Sequence, residues 1–185
     1  MKLLILREDI LPALQVVNSV IDRRQNLPIL SNLLIKLSPT GFSLTATDME
    51  VEIKCHIRKT IEETGQLTIP ARKLLDITRS LPEGAEIQFE YDSEKLLLKS
   101  AKSRFTLLTQ PAEEFPETDF LETKTEFKIN QMVFRSLLED TLFAMAQQDV
   151  RYYLNGLLLE ISQDKLRTVA TDGHRLAKCS MKKDD

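Results

Sequence analysis

Thr168-Val169-Ala170-Thr171-Asp172-Gly173-His174-Arg175-Leu176 decides how this 185-residue chain is read, because it has an echo. Subtracting 124 from each number gives Leu44-Thr45-Ala46-Thr47-Asp48-Met49-Glu50-Val51-Glu52, where Ala46-Thr47-Asp48 matches Ala170-Thr171-Asp172. The same shift joins Leu33-Leu34 to Leu157-Leu158, Ser38 to Ser162, and Lys54-Cys55 to Lys178-Cys179. Upstream it joins Ile5 to Ile129 and Leu14 to Leu138. A constant shift with no gap from Ile5 to Cys55 marks one structural unit used twice. The first domain is expected over residues 1–124 and the second over 125–185. A full second copy would run to roughly residue 248, so only its first half is expected here.

The formal net charge is −3. A tight, purely electrostatic nucleic-acid binder would be strongly basic, so that class is excluded, while contact through a local patch is not. Cys55 and Cys179 are the only cysteines and occupy equivalent places in the repeat. In apolar alternation they are expected to be buried reduced thiols acting as small hydrophobes. The apolar run after Lys2 stops at Arg7, too short for a signal peptide. No run is long enough to cross a bilayer as a helix. A cytoplasmic protein with no membrane partner is the expectation.

Working along the chain, residues 3–6 read as a strand. Ile10, Leu14, Val17 and Ile21 recur at helical spacing, with Asp9 as N-cap and Pro12 in the first turn. Residues 22–26 read as a polar loop carrying Arg23 and Arg24. Residues 29–37 and 42–47 read as paired strands around the turn Pro39-Thr40-Gly41. Residues 50–57 alternate strictly, which gives a strand with one wet and one buried face. Pro70 opens a helix whose inner face is Leu74, Leu75, Thr78 and Leu81. Three short strands follow over 86–91, 95–99 and 104–109. Two prolines and a crowd of acids make 110–124 a linker. Residues 127–129 restart the pattern as a strand, Asn130 caps a helix, and strands follow over 153–161, 166–171 and 175–181. The fold class is α+β: repeated domains of two helices packed on antiparallel sheets.

No catalytic centre survives inspection. There is no glycine-rich phosphate loop and no nucleophile elbow. Asp48, Glu50 and Glu52 share a wet face, where solvated carboxylates are the ordinary reading rather than a metal site. His56 reads as a surface histidine. His174 and Cys179 are five apart on an expected strand and point to opposite faces, which is poor geometry for a metal or a thiolate–imidazole pair. No metal and no cofactor is expected.

The mismatches between copies are more informative. Tyr152-Tyr153 stands where the first copy has Pro28-Ile29, and Gly173-His174-Arg175 where it has Met49-Glu50-Val51. On a strand only one of two adjacent tyrosines faces the core. The other, beside Gln148 and Arg151, suits phosphate, sugar or base contact as well as ordinary packing. Gly173 permits close backbone approach. With Leu154 and Thr171 it could line an apolar groove with a polar rim, as short peptides require, or form a simple strand turn.

Leu27-Pro28-Ile29-Leu30, Pro70-Ala71-Arg72-Lys73, Leu81-Pro82-Glu83-Gly84-Ala85-Glu86-Ile87, Ser103-Arg104-Phe105, residues 148–156 and residues 167–177 give the chain a family resemblance. It resembles the N-terminal half of the bacterial DNA polymerase III β subunit, the sliding clamp, over almost its whole length. The resemblance implies the DNA clamp (processivity) fold. It implies three similar domains per chain and a head-to-tail homodimeric ring around double-stranded DNA that tethers the polymerase without being an enzyme. Implied partners are the polymerase III catalytic subunit, the clamp loader and other proteins carrying clamp-binding motifs. By position the resemblance places DNA contacts on Arg24, Arg72, Gln148, Tyr152 and Tyr153. It places part of a peptide-binding cleft on Leu154, Thr171, Gly173, His174, Arg175 and Leu176. It places a ring-closing surface on Lys73, Ile77, Lys102, Arg104, Phe105 and Leu107. A mild acidic charge fits a ring, since a tight grip on phosphates would hinder sliding.

Three functions are therefore weighed: a processivity factor or part of one, a peptide-docking module that does not encircle DNA, and an enzyme with an unrecognised site. Residues 1–185 alone are expected neither to close a ring nor to bind clamp-binding peptides strongly, because a half-built domain leaves strand edges and core exposed.

Overall fold

The computed structural model describes residues 2–21, 27–92, 94–116, 126–162 and 164–182. Two compact units emerge, Met1–Phe120 and Leu121–Asp185.

In the first unit, β1 (Lys2–Leu6) runs straight into α1 (Arg7–Val17). Leu6 is the N-cap and lends no side chain to the helix; the Arg7 N–H instead donates to the Ala85 carbonyl at 2.9 Å. Asp9 therefore sits inside the first turn rather than capping it, where its charge suits the helix dipole. Pro12 correspondingly lies in the second turn, so the helix forgoes the bond it would have made to the Glu8 carbonyl. Ile10, Leu14 and Val17 are fully buried. Each contributes roughly 2 kcal/mol of apolar transfer free energy.

A 3₁₀ turn over Pro28–Ser31 precedes β2 (Asn32–Ser38). The strand expected from residue 29 thus begins three residues later. Next come β3 (Gly41–Thr47), β4 (Glu52–Arg58) and β5 (Gly65–Pro70), which form an antiparallel sheet in the order β4-β3-β2-β5. α2 (Ala71–Ser80) follows with Pro70 as N-cap and buries Leu74, Leu75 and Thr78. β6 (Glu86–Asp92), β7 (Lys95–Ser100) and β8 (Ser103–Leu108) complete a second antiparallel sheet, β1-β6-β7-β8. One core cluster joins Phe42 and Leu44, Leu33 and Ile35, Ile87 and Phe89, and the inner faces of both helices. The expected linker does not begin cleanly at residue 110. Ala112 and Phe115 are buried against Leu34, so its first residues belong to the unit's packing.

The second unit repeats the frame. α3 (Gln131–Leu142) corresponds to α1, and the Asn130 side chain caps it by accepting the Met132 and Val133 N–H groups. A 3₁₀ turn over Tyr152–Asn155 matches Pro28–Ser31 residue for residue. β9 (Leu158–Ile161), β10 (Lys165–Thr171) and β11 (Leu176–Lys182) form the antiparallel sheet β11-β10-β9. Shifted by 124, β10 and β11 coincide with β3 and β4 at both ends.

Two expectations fail in this unit. Residues 127–129 form no strand. Their counterpart β1 is held by β6, and no equivalent of β6 stands among the described residues of the second unit. Residues 153–155 are not extended, because the 3₁₀ turn takes their place, and the strand expected from residue 153 begins at Leu158. The cysteines are half-buried rather than buried, since each lies on an edge strand, β4 or β11.

Candidate functional site

The echo that organises the sequence is a turn built twice. In the second unit the Asp172 carboxylate accepts the His174 and Arg175 N–H groups, both at 2.9 Å. Thr171 Oγ1 donates to the Arg175 carbonyl at 2.7 Å and accepts the Gly173 N–H at 3.1 Å. In the first unit Asp48 accepts from Glu50 at 2.9 Å and Val51 at 2.7 Å. Thr47 there donates to the Val51 carbonyl at 2.9 Å and accepts from Met49 at 3.0 Å. The third turn residue is left-handed in both, φ 78° at Met49 and 88° at Gly173. Thr-Asp is therefore turn chemistry, and the functional difference must lie in what surrounds it.

Around the second turn the surroundings are specific. Asp149 grips Arg151 through Oδ1–Nε at 3.0 Å and Oδ2–Nη2 at 2.9 Å, and accepts the Arg151 N–H at 2.8 Å. The fork geometry makes this a strong pair. Those hydrogen bonds, the side chain's first and the backbone's second, hold the Asp149 carboxyl down at about 2. Asn155 braces the same loop by accepting the Asp149 N–H at 2.9 Å and donating to the Asp149 carbonyl at 3.0 Å. The fixed guanidinium then lies over Gly173: a Cβ there would sit 3.3 Å from both terminal nitrogens of Arg151. The close approach expected at Gly173 is real, and Arg151 is what approaches.

This clamp joins the two predicted residue sets of the unit. Tyr152 and Tyr153 follow Arg151 directly, with rings edge to face at 6.0 Å. They are 82% and 67% exposed, so neither faces the core. A 3₁₀ turn does not impose the strand's alternation, which is why the sequence expectation of one buried ring fails. Gln148 is exposed with φ 57°. Leu154 is half-buried and locked by its N–H to the Arg151 carbonyl at 2.9 Å. His174 is exposed, and Leu176 is 64% exposed where β11 begins. Arg175 is held by Asp172 at 3.0 Å and stands 5.7 Å from the ring centre of Phe143. Phe143, 61% exposed, was missed by sequence reading. Its only signal was an apolar residue just past the last turn of α3. The loop and the turn thus carry two guanidiniums held by carboxylates, Arg151 by Asp149 and Arg175 by Asp172, and Phe143 and Leu176 stand exposed.

The remaining expected residues lie in the first unit, apart from Arg24, which falls outside the described residues. Arg72 is exposed and donates to the Ile21 carbonyl at 3.1 Å. Lys73 and Ile77 lie on α2, Lys102 in the turn before β8, and Arg104, Phe105 and Leu107 on β8, an edge strand of its sheet. Lys73, Lys102 and Arg104 are exposed, while Ile77 and Phe105 pack half-buried on the core that contains Leu107. Elsewhere the chemistry is quiet. Burial pushes both thiols up, with Asp140 adding to the push at Cys179, the opposite of what a nucleophilic cysteine needs. Among the described residues no cluster of His, Cys, Asp or Glu could hold a metal ion. Asp48 spends its carboxylate on the turn. No helix among these residues is long and apolar enough to cross a membrane.

Comparison with known proteins gives this geometry its family. The model of the DNA polymerase III beta subunit N-terminal domain matches residues 1–119, and that of the central domain matches residues 128–185. The chain belongs to the DNA polymerase III beta subunit family. It is 50% identical to the beta sliding clamp of Proteus mirabilis over 182 residues, 98% of this chain and 50% of that protein. The Escherichia coli K12 beta sliding clamp is 48% identical over the same span. The crystal structure of the Pseudomonas aeruginosa beta subunit matches with a TM-score of 0.93 at 49% identity, covering 98% of this chain and 50% of that one. The fold is thus the α+β sliding-clamp fold. The chain spans about half the length of the curated relatives it matches.

Proposed function

We propose that this beta subunit chain works as part of a sliding clamp: a non-catalytic processivity factor that encircles double-stranded DNA as a ring and tethers polymerase through a peptide-binding cleft. The observation that carries the reading is the Asp149–Arg151–Gly173 clamp, supported by the family membership. It ties a loop bearing two exposed tyrosines and Gln148 to the turn bearing His174, Arg175 and Leu176. Exposed aromatic and amide groups suit transient contact with nucleic acid. The exposed apolar side chains Leu176 and Phe143 suit a short peptide of the polymerase, the clamp loader or another partner. Arg24 and Arg72 add charge to the DNA-facing set. Lys73, Ile77, Lys102, Arg104, Phe105 and Leu107 form the ring-closing surface of the homodimer. The division of labour into domains at residues 1–124 and 125–185 goes with this reading, as does work in the cytoplasm.

The test is a primer-extension assay on circular single-stranded DNA with a full-length beta subunit carrying these residues, a clamp loader and a polymerase. Adding the protein is expected to lengthen products made in one binding event. His174→Ala with Leu176→Ala is expected to abolish that gain while leaving the fold intact by circular dichroism. Product lengths that ignore the protein would contradict the reading. A double variant that still lengthens them would contradict the cleft assignment.

A further inference from the structure

Asn155 is the one asparagine of the chain followed by glycine; Asn18, Asn26, Asn32 and Asn130 all precede residues that carry a Cβ. Asparagine is a thermolabile residue. A following glycine leaves its backbone nitrogen open to attack by that residue on the preceding side chain, because no Cβ stands in the way. Shifted by 124, the pair becomes Ser31-Asn32, so the first unit lacks this chemistry.

The fold treats the two halves of the pair differently. The Asn155 amide is held by the Asp149 backbone: Oδ1 accepts the Asp149 N–H at 2.9 Å and Nδ2 donates to the Asp149 carbonyl at 3.0 Å. The Gly156 N–H makes no cap bond to the 3₁₀ turn it follows, whereas its counterpart Asn32 donates to the Ile29 carbonyl. Gly156 is also exposed to water. Nothing among the described residues demands glycine there. Its φ of −132° suits any residue, and a Cβ would meet no atom within 4 Å. The chain's Asp-Gly pair, Asp172-Gly173, differs: the Gly173 N–H donates to Thr171 Oγ1 at 3.1 Å, so that nitrogen is engaged.

We propose that Asn155-Gly156 is a self-modification site, where spontaneous deamidation of Asn155 releases the Asp149–Arg151–Gly173 clamp and the amide's own bonds to Asp149 set the rate. When the loop opens, the Gly156 nitrogen attacks Asn155 Cγ. The Cγ–Nδ2 bond breaks, and ammonia leaves with the proton of the Gly156 N–H. The succinimide ring so formed takes up one water and opens to aspartate or isoaspartate. Aspartate puts an oxygen where Nδ2 stood, so two acceptors face each other at the Asp149 carbonyl and the hydrogen bond is lost. Isoaspartate routes the backbone through the former side chain, which removes both bonds and displaces the entry to β9. Either product withdraws the brace beneath the Asp149–Arg151 grip. The inference needs only these loop bonds and does not rest on the proposed function.

The experiment follows residue 155 by peptide mapping of the 185-residue chain, folded or in denaturant, in warm, mildly alkaline buffer. Mass spectrometry reads the conversion of amide to acid, and enzymatic isoaspartyl methylation reads the isomer. The folded chain is expected to convert at least about tenfold more slowly than the unfolded one, since only the opened loop reacts. Asp149→Ala, which drops the Arg151 grip, is expected to speed the folded reaction, with circular dichroism confirming the fold. Gly156→Ala is expected to suppress it in both states with thermal unfolding unchanged. Asn155→Asp is expected to speed hydrogen exchange at the Asp149 amide and to move the Asp149 titration from about 2 towards its ordinary 3.8. The proposal is overturned by no acid at residue 155 in the folded chain, or by equal rates folded and unfolded. It is equally overturned by an unaccelerated Asp149→Ala, an unslowed Gly156→Ala, or unchanged Asp149 exchange in Asn155→Asp.

Discussion

Arg151 is one guanidinium with two jobs, and both can be measured. Its grip by Asp149 depends on the carboxylate charge. The Asp149 pKa is lowered from its ordinary value of 3.8 to about 2 by the Arg151 hydrogen bonds. A depressed pKa means the contact is fully present above the ordinary value and is lost as pH falls through the depressed one. The loop is therefore expected to stay ordered down to about pH 4 and to loosen between about 4 and 2. Side-chain NMR titration of Asp149 checks this; a midpoint at the ordinary aspartate value would contradict it. Gly173→Ala tests the other job. A left-handed alanine costs about 1 kcal/mol, and the new methyl displaces the Arg151 guanidinium by contact. Chemical denaturation is expected to show that loss with the fold retained, because Met49 tolerates the same conformation in the first unit. Sequence reading found Gly173 and its close approach through the mismatch with Met49. It could not find Arg151 as the approaching group, since a contact across more than twenty residues leaves no local spacing to read.

At the scale of elements, the 124-residue shift was legible because packing demands it twice: β10 and β11 reproduce β3 and β4, and α3 reproduces α1. Failures came where a partner decides the conformation. Residues 127–129 have the strand pattern of β1 but no strand to pair with among the described residues. Tyr152–Asn155 reads as β by its aromatic content, yet its equivalent opens with Pro28, and that proline was the available sign of a non-extended start. Asp9 looked like a cap, but β1 enters α1 directly and the Ala85 carbonyl takes the first N–H. Only the second copy uses a side-chain cap. Asn130→Ala is accordingly expected to cost about 1 kcal/mol, read as a lower denaturation midpoint. Leu6→Ala should carry no capping penalty at all. An unchanged midpoint for Asn130→Ala would remove the cap from the account.

For the whole molecule, the repeat accounts for the packing. The first unit is sealed: Leu34 on β2 lies between β3 and β5 and is 1% exposed. Its counterpart Leu158 on β9 has, among the described residues, β10 on one side only and is 62% exposed. The family was legible through motifs spread along the chain rather than through any catalytic signature, as suits a protein whose proposed work is topological. The net charge of −3 agrees with that work, because a ring holds DNA by enclosure and needs few phosphate contacts. The most direct measurement is retention of a loaded full-length beta subunit carrying these residues on nicked circular DNA in high salt, before and after a single restriction cut. Enclosure predicts stable retention on the circle and rapid loss once the DNA is linear. Equal loss from circular and linear DNA would contradict it and leave a docking module that never surrounds the duplex.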